Sequence, residues 1–336
     1  MKPTLLLLAT LPLFAQRYQI QERGGLIVMS DTSANVEATV SPGHGGELCG
    51  MRVMFRGQWT ELIWRACDYT PTEGWTGRAP WLWPAVGRNF PGGVAENEAG
   101  AGSSYDYRGK RYPMPVHGFV RDLPWTVENK TAGADSAAVV LSLADSPKTR
   151  EMYPFGWKLT VTYELAAGAV SMRFRVRASE QNTDEMFFSA GNHITFRTPL
   201  VAGSDAAAMR FSTPSTIEYV KKGFSPTGEK AAKGWGVPFP LADFPARTAV
   251  TLGGYTSDTW MTLADPAGLG VQIEHSASQK PKEVCSFNVW GDPRNGYFSP
   301  EPWVGLQNSL VTGNGLVRLK PGGEWRWNIR LSAYLP

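Results

Sequence analysis

Apolar and polar residues alternate with a period of two along three clear stretches of the chain. In Trp157–Ala166, Leu159, Val161, Tyr163 and Leu165 alternate with Lys158, Thr160, Thr162 and Glu164. In Ala169–Ala178, Val170, Met172, Phe174 and Val176 alternate with Ser171, Arg173, Arg175 and Arg177. Ala-Ala-Gly lies between them, so the pair predicts a β-hairpin with one buried and one solvated face. Near the C-terminus Trp325, Trp327, Ile329 and Leu331 alternate with Arg326, Asn328 and Arg330, which predicts a strand with both tryptophans in the core. Weaker patterns predict strands at 25–29, 47–54, 60–64, 137–143, 248–254, 259–263, 270–274, 284–289 and 315–319. No helical stripe and no repeat of solenoid or propeller period is found. Strand after strand without intervening helices predicts a large antiparallel all-β sandwich or barrel. Tyr69–Pro115 and Gly223–Pro245 are rich in Gly, Pro and aromatic residues and read as long loops. Loops of that length in a compact domain carry function or are disordered, and tryptophans in the first favour function.

Composition adds bounds to this pattern. With 42% apolar residues the chain buries a full core, which excludes global disorder. The 33 basic and 30 acidic residues nearly cancel, so the usual electrostatic footprint of nucleic-acid binding is missing. At the N-terminus, Lys2 precedes the apolar run Leu5–Phe14 and then Ala15-Gln16, the layout of a secretory signal peptide. The run is shorter than the roughly 20 residues a bilayer span needs. The expectation is therefore a signal peptide at 1–16, export, no membrane association of the mature chain, and one domain over 17–336. Cys49, Cys67 and Cys285 form no CxxC pair, so structural zinc has no support. One disulfide is possible without any choice of partners, and the expected state is buried, reduced cysteines acting as small apolar residues.

Candidate chemistry is sparse, because the chain has four histidines. His44 in Ser-Pro-Gly-His-Gly-Gly reads as turn chemistry, and His275 ends a strand. His117 follows a proline-rich loop beside a glycine, and His193 closes an apolar run in Ala-Gly-Asn-His. None belongs to a short metal-binding pattern. Glu301 lies between two prolines and close to Trp303, on stiff and partly desolvated backbone that suits a general base. Arg88 and Asn89 lie close to Trp81 and Trp83, where a guanidinium fork suits sugar hydroxyls.

Taken together, seven motifs in order make the chain resemble the aldose 1-epimerase (galactose mutarotase) family. They are Gly-Gly-Glu-Leu at 45–48, Trp-Pro-Ala-Val-Gly-Arg at 83–88, Pro-Val-His-Gly-Phe-Val-Arg-Asp at 115–122, Tyr-Pro-Phe-Gly-Trp-Lys-Leu at 153–159, Ala-Gly-Asn-His at 190–193, Pro-Glu-Pro-Trp at 300–303 and Leu-Lys-Pro-Gly-Gly-Glu-Trp at 319–325. The His-Gly-Phe-x-Arg-Asp form is similar to one branch of that family. The resemblance implies an antiparallel β-supersandwich, Glu301 as catalytic base and His193 as catalytic acid. It also implies His117 as a second active-site histidine and Arg88 as a contact to substrate hydroxyls. Asn89, Asn192 and Trp303 join them as expected substrate-binding residues. The family's substrate-binding aspartate is matched only by rough position, at Asp243 or Asp258. The implied substrate is a monosaccharide of glucose or galactose type, with no cofactor and no metal.

Two other readings stand beside this one. A carbohydrate-binding relative would use Trp81, Trp83, Trp290 and Trp303 as stacking platforms. A hexose-6-phosphate epimerase would need added cations, with Arg121, Arg294 and the stretch Arg108, Lys110 and Arg111 as candidates, while a glycoside hydrolase would need Asp122 as a second carboxylate opposite Glu301.

Overall fold

The structure is a computed structural model that describes residues 16–91, 103–222, 225–256, 259–278 and 287–335. The expected signal peptide, Asp258 and Cys285 lie outside the described residues, apart from Gln16.

The hairpin forms where the alternation places it, as Trp157–Ala166 and Ala169–Ala178, with Leu159 opposite Val176 and Leu165 opposite Val170. Ala167 and Gly168 both adopt left-handed backbone, with φ of 47° and 73°, which matches the twist of the flanking strands. The C-terminal strand Glu324–Tyr334 pairs with this hairpin, Trp327 opposite Phe174 and Ile329 opposite Met172. Around these grows a nine-stranded antiparallel sheet among the described residues. It runs from Thr126–Ala132 and Ala137–Ala144 at one edge to Leu269–Ala277, Thr259–Asp265 and Arg210–Ser212 toward the other.

A second, eight-stranded sheet carries Ile217–Lys222, Val250–Gly253, Phe287–Asp292, Tyr297–Val304, Ala190–Asn192 and Trp81–Leu82 in that spatial order. A five-stranded meander over residues 18–61 forms a third layer. The two described α-helices, Pro147–Arg150 and Ser309–Thr312, span four residues each and the described 3-10 turns three, so the fold is all-β and antiparallel. No described helix is long and apolar enough to cross a membrane.

Three expectations need correction. The stretch 69–115 is not wholly loop, for it holds Trp81–Leu82 and the hairpin Ser104–Tyr107 with Lys110–Pro113. The stretch 223–245 likewise holds Ser225–Ala232 and Phe239–Pro240. Strands of two to eight residues rich in Gly, Pro and Lys show no readable alternation, which hides them in sequence. The cysteines are not all reduced: Cys49 and Cys67 are disulfide-bonded, with Cα atoms 4.7 Å apart. After Gln58–Glu61 the chain runs back along Glu47–Phe55, so that the Cys67 N–H donates to the Cys49 carbonyl at 2.8 Å.

The expected tryptophan platforms at 81 and 83 are core residues. Trp81 is fully buried and stacks on Phe174 at 4.7 Å, and Trp83 is enclosed by Trp157, Tyr153 and Phe188. Trp325 and Trp327 are buried as expected. Trp81 also ties the layers by a polar relay: its Nε1–H donates to the Tyr163 hydroxyl at 2.7 Å, which donates to the Gly46 carbonyl at 2.6 Å. Tyr163→Phe strands both partners in an apolar core. The expected destabilisation is about 2 kcal/mol, since an orphaned buried donor costs more than a hydrogen bond gains. Urea unfolding at constant m-value measures it.

Candidate active site

The strand Tyr297–Val304 is buried along its whole length and presents Tyr297, Ser299, Glu301 and Trp303 on one face. Its inner neighbour, Phe287–Asp292, pairs along nearly all of it, Asn288 opposite Glu301 and Trp290 opposite Ser299. On the other side the neighbour is broken. Ala190 and Gly191 pair with Val304 and Trp303, Phe196 and Arg197 pair with Phe298 and Tyr297, and nothing pairs with Ser299–Pro302. Prolines at 300 and 302 bring no N–H, so they sit in this gap at little loss to the ladder. The chain that leaves the ladder is His193–Thr195, fixed from behind by its own bonds: His193 N–H to the Pro80 carbonyl at 3.0 Å and Thr195 N–H to the Arg78 carbonyl at 2.9 Å.

This geometry brings His193 Nε2 to 3.5 Å from Glu301 Oε1. The carboxylate is held at both oxygens, by Asn288 Nδ2 at 3.0 Å on Oε1 and by Trp303 Nε1 at 3.1 Å on Oε2. Thr251 on the next strand donates to Asn288 Oδ1 at 3.0 Å and so fixes which end of that amide faces Glu301. Burial pushes the Glu301 carboxyl well above the usual carboxylate range, against the Asn288 and Trp303 donors, and pushes His193 well below the usual imidazole range. Both causes act in one direction. A dry site disfavours the charged pair, so the two groups hold one proton between them.

His117 approaches from a separate turn, its ring edge-on to His193 with centroids 5.4 Å apart and 6.1 Å from the Trp303 ring. His117 has left-handed backbone, and its N–H donates to the Gly87 carbonyl while Gly87 N–H donates to His117 Nδ1 at 3.0 Å. An Nδ1 that accepts a hydrogen bond leaves the proton of the neutral ring on Nε2. Burial, then the charges of Arg121 and Arg88, push His117 down to about 3, so it is a neutral donor at ordinary pH. The next residue has to be glycine: Gly118 has φ of +72°, and a Cβ there would sit 2.0 Å from the Trp83 carbonyl oxygen.

The remaining expected residues form the wall. Arg88 is half-buried, and its carbonyl accepts from Asn308 N–H at 3.0 Å. Asn89 is fully buried and its Oδ1 accepts from Leu310 N–H at 3.2 Å, while Asn192 donates to the Ala79 carbonyl at 2.9 Å. Trp303 is buried with Leu82, Val86, Tyr219 and Leu306 in a small apolar cluster beneath Glu301. Asp243 is exposed on the turn Leu241–Asp243, and Asp122 is two-thirds exposed beside Arg121. His275 packs on Phe287 and takes the Trp327 indole N–H at 3.1 Å, and His44 stacks on Tyr69 at 3.7 Å. Among the described residues no three His, Cys, Asp or Glu side chains gather as a metal site. Sequence reading missed three residues here: Trp75, Thr195 and Asn288. Their signals are positional in the fold, since none lies in a recognisable motif.

Comparison with known proteins agrees with this architecture. The family described as aldose 1-epimerase matches residues 31–332. The plasmid-encoded protein LacX of Lactococcus lactis is 24% identical over 272 residues, 76% of this chain and 81% of that protein. A galactose mutarotase-like protein from Clostridium acetobutylicum superposes with a TM-score of 0.74 at 19% identity, covering 95% of this chain and 98% of that one. A galactose mutarotase related enzyme from Lactobacillus acidophilus gives 0.68 at 21% identity, covering 94% and 97%. The interrupted strand and the buried carboxylate–imidazole pair thus stand in a fold shared with mutarotase-like proteins, and the family match runs through nearly every strand that builds the site: the chain belongs to the aldose 1-epimerase family.

Proposed function

We propose that the protein is a mutarotase that interconverts the α and β anomers of free hexoses, with Glu301 and His193 as its acid–base pair. The observation that carries this reading is the buried pair itself, with His193 Nε2 3.5 Å from Glu301 Oε1. Ring opening needs one group to remove the O1 proton and another to protonate the ring oxygen. In the reactive form the shared proton stands on His193: Glu301 takes the O1 proton while His193 delivers its proton to O5. The C1–O5 bond breaks and the aldehyde forms at C1. After rotation about C1–C2, His193 removes the O5 proton and Glu301 returns its proton to O1, which gives the other anomer. The pair ends with the single proton it began with. The neutral His117 offers Nε2–H to a sugar oxygen, Arg88 binds hydroxyls, and Trp303 holds Glu301 in place. Asn89 and Asn192, whose side chains bond the backbone at Leu310 and Ala79, complete the proposed substrate-binding set.

The His-Gly-Phe-Val-Arg-Asp sequence at 117–122 supports assignment to the branch with that motif. The Cys49–Cys67 disulfide supports export, because disulfides persist in oxidising compartments. One observation favours a second substrate class, an anionic hexose: the charges of Arg88 and Arg121 both bear on His117. Arg121 Nε has no hydrogen-bond partner.

Polarimetry on freshly dissolved α-D-glucose, α-D-galactose and their 6-phosphates tests both readings. Acceleration is expected on the free sugars, and none on any sugar refutes the proposal. Glu301→Gln is expected to lower kcat by about a hundred- to ten-thousandfold. The pH profile carries a separate expectation. A second proton adds only below the depressed His193 range, and the single proton leaves only above the raised Glu301 range. The rate is therefore flat between those two limits and falls on both sides, and an acid limb in the ordinary imidazole range would contradict the assignment.

A further inference from the structure

A histidine that works as an acid or base is commonly oriented by a hydrogen bond on its far ring nitrogen. His193 has none: its Nδ1 is buried without a partner. What holds the ring is packing. The Trp75 indole stacks on its face with centroids 3.7 Å apart and planes 24° from parallel, and Trp290 stands edge-on at 5.8 Å. The indole is itself fixed through the same segment as the imidazole. Its Nε1–H donates to Thr195 Oγ1 at 2.9 Å, and that hydroxyl donates to the His193 carbonyl at 3.0 Å. With its one proton so used, Thr195 Oγ1 accepts from Ser299 Oγ at 2.9 Å as well.

Trp75 comes from the segment 65–79, which is tied down at several points. The disulfide joins Cys67 to Cys49. The Arg78 guanidinium donates to buried Glu47 at 2.6 Å, the Tyr69 hydroxyl to the same oxygen at 3.0 Å, and Arg78 lies over the Tyr69 ring at 4.4 Å. Arg65, Cys67 and Arg78 all have left-handed backbone, an unfavourable state for non-glycine residues that persists only where the surroundings enforce it. Gly77 passes so close to Trp64 that a Cβ would lie 2.5 Å from its carbonyl oxygen.

We infer that the segment 65–79 is a fixed, disulfide-anchored cap on the sugar site, and that Trp75 is the positioning residue that orients His193 toward Glu301. This rests on the reading of the site as a mutarotase for its kinetic arm alone. The imidazole also faces Glu301 on its own sheet, and His117 and Arg121 from the neighbouring turn, so its titration reports on the cap only by comparison with the native chain.

The test uses the full chain with Trp75→Ala, Trp75→Phe and the double substitution Cys49→Ser, Cys67→Ser. The readouts are mutarotation kinetics and the NMR titration of the four histidines, assigned with His193→Gln. Trp75→Ala is expected to lower kcat about tenfold or more while KM changes less than about threefold. It lets water reach the ring, so the His193 midpoint moves upward toward the ordinary imidazole value. Trp75→Phe keeps a flat cover and stays within about threefold of native kcat. The double cysteine variant moves both readouts in the direction of Trp75→Ala. An unmoved His193 midpoint in Trp75→Ala overturns the inference, whether or not kcat falls. If the native chain turns over no sugar, the mutarotase reading fails and the titration alone decides. Trp75→Phe guards against a folding defect in the alanine variant.

Discussion

One missing stretch of hydrogen-bond ladder organises the site. Opposite Ser299–Pro302 the eight-stranded sheet loses its neighbour on one side, because Ala190–Asn192 ends and Phe196–Arg197 begins with three residues between. A continuous strand would run a backbone past Ser299–Pro302 and close that side of Glu301. The interruption instead turns His193 inward, while Pro80 and Arg78 satisfy the backbone that departs. The same gap accounts for Pro-Glu-Pro, a motif that an uninterrupted central strand would not tolerate. Packing then does the rest: Phe298 on the opposite face is anchored against Phe211 and Phe244, so Glu301 stands on rigid backbone.

Electrostatics follow from where that strand lies. Among the described residues, buried Glu301 takes its hydrogen bonds from the neutral groups of Asn288 and Trp303. A full salt bridge would lock the carboxylate in its charged form. Neutral donors with strong desolvation leave it able to take and release a proton, which is what acid–base work asks of it. His117 is treated in the opposite way. Burial, then the charges of Arg121 and Arg88, keep it neutral at ordinary pH, and the Gly87 N–H on its Nδ1 leaves it a fixed donor at Nε2.

Much of this was legible in the chain, for identifiable reasons. The hairpin 157–178 was readable to the residue because each strand has one wet and one dry face, which writes the pleat into the sequence. Tyr297–Val304 has no wet face, so its type was hidden and only the proline-flanked glutamate stood out. Tryptophan misled in both directions. Trp81 and Trp83 shortly precede Arg88 as in a binding loop, yet they face the large sheet, while Trp75 sits in a polar stretch and closes over His193. The Cys49–Cys67 pair was beyond reach because it depends on the chain doubling back along Glu47–Phe55, a tertiary fact with no local signal. Asn288 and Thr195 act through register and through a strand break, which appear only once the sheet is assembled.

The placement of Cys49 and Glu47 has a further meaning for how the molecule breathes. Both belong to the meander of residues 18–61, whereas Glu301 and Asn288 belong to the eight-stranded sheet. Proteins open in cooperative units whose free energies differ, and outer layers open before the core. Here the meander holds the cover of the site, through the Cys49–Cys67 disulfide and the Glu47–Arg78 ion pair. A layer that contributes neither Glu301 nor His193 therefore carries the anchors of the segment that covers them, and the dryness of the pair depends on strands outside its own sheet.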